Sequence, residues 1–150
     1  MKKLWTAFCL ILAAACCFAG DNTTRNATAF APTRIELVVG SVVLTGVLYD
    51  TAVARAFTAL LPQTVRLSRY ADREYYGGIS GRISAAGERK RTFTKGELSY
   101  CPANNSFAVW FDKEEQTLGM DIIKIGELTS DYGVLRELPS GIQMTVRLAP

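Results

Sequence analysis

The sequence predicts a mainly β domain, a small barrel or curled sheet capped by helices. Three observations predict it. The run "RIELVVGSVVLTGVLYD" holds two apolar segments joined by Gly40-Ser41, the pattern of a tight hairpin with glycine first. "ELSYC", "SFAVWF", "IIKIGEL" and "IQMTVRL" are short runs rich in β-branched and aromatic residues. Helical signals occur in only two places.

In the hairpin, a turn at Gly40-Ser41 sets Val39 opposite Val42 and Leu37 opposite Leu44 on one face. Val38 then meets Val43, and Glu36 meets Thr45, on the other, so one face is apolar and one mixed. "YDTAVARAFTALLP" reads as a helix capped by Asp50 or Thr51. Val53, Ala56, Phe57 and Leu60 form its apolar stripe, and Pro62 stops it. A helix this apolar is expected to lie across an open end of the sheet. Residues 65–67 suit a short strand. The stretch 69–96 looks irregular and contains Gly77, Gly78, Gly81, Gly87 and Gly96, and such long inserts are usually functional or mobile. "SDYGVLRELPSG" reads as a second short helix, ended by Pro139.

With 150 residues the chain suffices for one domain, and 49% hydrophobic with 21% charged residues is a globular composition. The net charge of +3 includes Lys2 and Lys3; from residue 20 onward the charge is nearly balanced, so nothing calls for nucleic acid. There is no histidine. That removes Ser–His–Asp and Cys–His catalysis and most zinc sites, leaving proton transfer to carboxylates, Tyr, Lys or Cys. "DKEEQTLGMD" lacks calcium-loop spacing, Glu114 and Glu115 are adjacent and would point opposite ways on a strand, and "GGISG" has no strand-to-helix context, so no metal or cofactor is expected.

Residues 1–19 have the parts of a signal peptide: Lys2 and Lys3, an apolar core over 4–15, and small residues up to a cleavage point after Ala19. "AAAC" offers an alternative, lipid anchoring through Cys16. Either route predicts an exported protein, periplasmic or secreted, that touches the membrane only through such an anchor. Residues 20–33 form a polar linker, and 34–150 the folded domain. Asn22 and Asn26 match the glycosylation pattern, which the bacterial look of the leader makes a chance match. Cys101 is the one cysteine of the domain, so it has no disulfide partner there and reads as a small apolar core residue.

The order hairpin, helix, irregular insert, strand pair, strand, short helix, last strand resembles the cyclophilin-like fold. The carriers are "VVLTGVLYDTAVARAFTALLP", "KGELSYCPANNSFAVWF", "IIKIGEL" and "GIQMTVRL", and the most telling is Gly96-Glu97-Leu98-Ser99-Tyr100. The likeness is to the bacterial cyclophilin-like domain family rather than to true cyclophilins, and it covers about 34–148. It implies a closed barrel of about eight strands with a helix over each open end. True cyclophilins isomerise X–Pro bonds with an Arg, a Phe-rich strand, a His and a Trp. Here the His does not exist, and the segment that should carry the Arg is replaced by the Gly-rich insert. "NNSFAVWF" takes the place of the Phe-rich strand, with Phe107, Val109 and Phe111 on one face and Ala108 and Trp110 on the other. Alternation alone leaves open which face looks toward a groove. No catalytic residue carries over.

Charge supplies the functional expectation. Residues 66–95 hold eight basic and three acidic side chains, and 97–137 hold eight acidic and three basic. The two halves either neutralise each other or the basic insert overhangs a groove and receives an anion. The second alternative makes the domain a groove-binding module for a small anionic or peptide ligand, without catalysis, contacted by Tyr75, Tyr76, Arg82, Tyr100 and Phe107. A divergent prolyl isomerase and a structural envelope protein are the alternatives.

Overall fold

The computed structural model describes residues 31–150. The leader, Cys16 and most of the linker lie outside the described residues. The elements are β1 (Thr33–Val39), β2 (Val42–Leu48), α1 (Ala52–Thr58), β3 (Gln63–Tyr70), β4 (Glu74–Gly78), β5 (Glu97–Cys101), β6 (Ser106–Trp110), β7 (Ile123–Leu128) and β8 (Gly141–Leu148). The eight strands close into a barrel in the order β1-β2-β7-β5-β6-β4-β3-β8, with β8 returning to β1 and every pairing antiparallel. Closure leaves no unpaired sheet edge.

The hairpin has the expected register, with Leu37 paired to Leu44 and Val39 to Val42. Its apolar face is the inward one: Ile35, Leu37, Leu44 and Leu48 are buried. Helix α1 is capped by Thr51, whose hydroxyl accepts from the Ala54 amide. It buries Val53, Ala54 and Phe57 against the barrel interior, whereas Ala56 and Leu60 are only half-buried. The stripe therefore sits slightly toward Ala54.

Two expectations need correction. The second capping helix is only a four-residue 3-10 turn, Gly133–Arg136. Glycine opens it without a side-chain cap, and Pro139 prevents its extension while pushing Leu138 toward extended backbone. Leu135 is its fully buried anchor, and Val134 packs partly against the core. The insert is also shorter than expected. The strand foreseen at 65–67 runs over eight residues, and "EYYGG" is β4, paired with both β3 and β6. Its two glycines and outward-facing Glu74 hide it from a strand pattern.

The remaining insert is pinned rather than loose. Ile79, Ile83 and Phe93 are buried, and the Asn105 side-chain amide donates to the Ile79 and Gly81 carbonyls. The telling run explains itself here. Gly96 turns the chain at φ +84°, Leu98 and Tyr100 point into the core, and the fully buried Glu97 carboxylate holds Lys90 at 2.7 Å, the Thr94 amide at 3.1 Å and the Ser99 hydroxyl at 2.7 Å. One buried acid thus fastens the end of the insert to β5, with enough donors to offset its desolvation.

Candidate functional site

Strand alternation gives β3, β4, β6 and β5 an outer face, and cross-strand register arranges it in rows. Tyr70, Glu74 and Trp110 form one row across β3, β4 and β6. Ser68, Tyr76, Ala108 and Ser99 form the next, reaching β5. The segment 112–122 folds back over this face and brings Leu118, Met120 and Ile122 to it. Together with Phe93, Cys101, Ala108 and Trp110, Leu118 and Ile122 make a second apolar cluster outside the barrel core. The small Ala108 leaves space between Tyr76 and Trp110, and a groove of about 350 Å³ opens there. A hollow of about 400 Å³ beside Arg34, Glu36, Thr45 and Pro150 has no aromatic lining, and Glu36 there is already paired with Arg147 at 2.7 Å.

The charged groups of the groove are Arg73 and Glu74, and its other polar lining includes Trp110 and the hydrogen-bonded pair Ser106 and Asn104. Arg73 Nε donates to Glu74 Oε1 at 3.3 Å, and Nη1 donates to Gln116 Oε1 at 2.9 Å. The guanidinium lies 5.1 Å from the Tyr70 ring centroid, 5.8 Å from that of Trp110 and 5.9 Å from that of Phe93. Phe93 stacks on Trp110 at 4.1 Å, which holds the indole in place. The indole Nε1 is buried and has no hydrogen-bond partner among the described residues. A buried N–H without an acceptor is unfavourable. Tyr70 and Tyr76, in edge-to-face contact at 6.2 Å, and Met120 are exposed along the rim.

The model for the cyclophilin-like family matches residues 37–147. The chain belongs to the cyclophilin-like family. A hypothetical protein from Archaeoglobus fulgidus, solved in solution, has a similar fold at 19% identity and a TM-score of 0.62, over 79% of this chain and 95% of that one. No curated protein matches the chain in sequence.

In this cyclophilin-like domain the five residues expected to contact ligand do not come together. Tyr75 is fully buried and its hydroxyl donates to the Leu138 and Pro139 carbonyls, tying β4 to the segment before β8. Tyr100 is buried with its hydroxyl on Asn105 Oδ1. Phe107 lies inside the barrel, stacked on Phe57 at 5.2 Å. Tyr76 borders the groove. Arg82 is exposed, outside the groove lining, and makes no ion pair among the described residues. The groove face of β6 is therefore that of Ala108 and Trp110, and Phe107, Val109 and Phe111 fill the barrel. Several cations of the basic insert are engaged by the acidic half: Lys90 with Glu97, Arg91 with Asp121 and Lys95 with Glu114. Arg73, Glu74 and Tyr70 were missed because two sit at the β3–β4 turn and one on a strand the sequence hides. The alternation Glu74, Tyr75, Tyr76 beside Arg73 was the available signal.

Burial pushes the Glu74 carboxyl up to about 7, and the neighbouring Arg73 only partly counteracts this. An acid harder to ionise folded than unfolded favours the fold while protonated. Its contribution is complete below its ordinary value of 4.5 and is lost as pH rises through about 7. Glu74→Gln, which mimics the neutral acid, is expected to match the wild type near pH 5 and to exceed it by about 2 kcal/mol near pH 8. Denaturant unfolding of both proteins across this range checks it; parallel profiles would rule it out.

Proposed function

We propose that this cyclophilin-like domain is a groove-binding module for a small anionic or peptide ligand, without catalytic activity, and that the groove over β4, β6 and β5 is its site. The observation that carries this reading is Arg73 set among the aromatic rings of Tyr70 and Trp110 in an apolar groove, with one guanidinium donor left without a hydrogen-bond partner among the described residues. A ligand carbonyl or carboxylate would meet the Arg73 guanidinium, and the rings of Tyr70, Tyr76 and Trp110 offer flat contact surfaces. The groove holds one acid–base pair and no histidine, which argues for binding rather than turnover. Action outside the cytoplasm belongs to this reading and rests on the leader at 1–19.

The test uses Trp110 itself. The chain has two tryptophans, Trp5 and Trp110, so full-length Trp5→Phe leaves Trp110 as the sole indole. Titration with short peptides and small carboxylic acids is expected to change its emission saturably. If no member of the panel does so, the groove is not a binding site. A protease-coupled assay giving a kcat/KM for X–Pro isomerisation above about 10⁴ M⁻¹s⁻¹ would instead make the domain an enzyme.

A further inference from the structure

Resting on the groove reading, we infer that the groove selects a carboxylate, and that this carboxylate takes Glu74's place on Arg73 while Glu74 takes up one proton from solvent.

The donors and acceptors of the site lead to this. Arg73 uses Nε on Glu74 and Nη1 on Gln116, and its Nη2 has no hydrogen-bond partner among the described residues. Trp110 Nε1 is likewise unused, and its ring centroid is 5.8 Å from the guanidinium carbon. An unused guanidinium donor among aromatic rings suits an anionic acceptor. What opposes an anion is Glu74. It is 7% exposed, is the cross-strand partner of Trp110, and has Arg73 as the one charge acting on it among the described residues.

The other elements around Glu74 bring no further charge into the groove. From β3 comes Tyr70, from β4 Tyr76 and from β5 Cys101; β6 contributes Ser106, Ala108 and Trp110, and the uncharged Asn104 precedes it. The covering segment presents Gln116, Leu118 and Met120, while its charged residues lie outside the groove lining: Asp112 pairs with Arg136, Lys113 with the Ala71 carbonyl, Glu114 with Lys95 and Asp121 with Arg91, and Glu115 is exposed.

With Glu74 ionised, the Arg73–Glu74 pair is neutral, and an incoming carboxylate would put two negative charges on one guanidinium in a partly dry site. With Glu74 protonated, the pair carries one positive charge and Arg73 is free to turn to the ligand. The proton comes from water and goes to a Glu74 oxygen, so the occupied groove holds one guanidinium, one ligand carboxylate and one neutral acid. Burial already leaves Glu74 poised near neutrality, so the exchange lies within the physiological range. Linkage then couples the events: the anion raises the proton affinity of Glu74, and the proton raises the affinity for the anion.

N-acetylphenylalanine and its uncharged amide separate these effects, because both offer a ring to the aromatic rim and only one is charged. Both are titrated calorimetrically into the full-length chain between about pH 6 and about pH 8.5, in two buffers of different ionisation enthalpy. For the acid, Kd is expected to be flat below about pH 6.5 and to weaken towards about tenfold per pH unit above about 7.5, with uptake of more than about half a proton per ligand near pH 7.5. The amide is expected to show neither trend. Glu74→Gln is expected to bind the acid at all pH values as the wild type does at low pH. A pH-independent Kd without proton uptake would overturn the inference and leave the groove reading standing. Binding of the amide but not the acid would do the same, as would binding of panel peptides but of neither probe. Failure of every ligand at Trp110 would end both.

Discussion

Phe57→Ala is expected to destabilise the domain by about 3–5 kcal/mol, the range for truncating a buried phenylalanine. Phe57 has no exposed surface and stacks almost parallel on Phe107, with 5.2 Å between ring centroids and 13° between planes. Helix α1 has seven residues, too few to be stable alone, and it holds its place through Val53, Ala54 and Phe57. Removing the ring leaves a cavity between the helix and β6 in a closed barrel that has little freedom to collapse. The denaturant midpoint should fall accordingly, with little change in slope. A loss below about 1 kcal/mol would mean that the helix is not the plug of this end of the barrel.

Gly77→Ala is expected to cost at least about 3 kcal/mol, because it inserts an atom where backbone already lies. A Cβ on Gly77 would sit 1.9 Å from the Arg66 carbonyl oxygen, which belongs to the adjacent strand. A flexible side chain could step aside, but the neighbouring strand can do so only by parting from β4. That parting would disturb the row of Tyr70, Glu74 and Trp110, since β4 lies between β3 and β6. Loss of stability should therefore come with faster hydrogen exchange in β3 and β4 and with altered Trp110 emission. Gly126 is the matching point on β7, where a Cβ would be 2.1 Å from the Val47 carbonyl oxygen. A Gly77→Ala protein as stable as the wild type would show that the β3–β4 contact yields more readily than its geometry implies.

The two variants fall in different classes of legibility. Phe57 stood at the centre of an apolar helical stripe, and its burial follows from period and amphipathicity alone. Gly77 was visible as a glycine in what looked like a loop. Its role depends on a carbonyl some ten residues earlier in the chain, and no local pattern encodes that approach. The groove divides similarly. Tyr76 was a candidate from the basic insert and the Ala108–Trp110 face one of two that alternation left open, whereas Arg73 and Glu74 acquire meaning only when β3, β4 and β6 lie side by side.

By itself the sequence determined the mainly β class, the hairpin register, the capped helix with Val53 and Phe57 buried, the single cysteine of the domain and the lack of histidine chemistry. These follow from periodicity, turn residues and composition, which act over a few residues. Tertiary structure alone decided that the second helix shrinks to one turn, that "EYYGG" is a strand, that basic residues of the insert pair with the acidic half, and that Phe107 looks inward while Trp110 looks toward the groove. The physical reason is the same in each case. Facing, pairing and proton affinity are set by neighbours distant in sequence, and closing the barrel is what makes them neighbours.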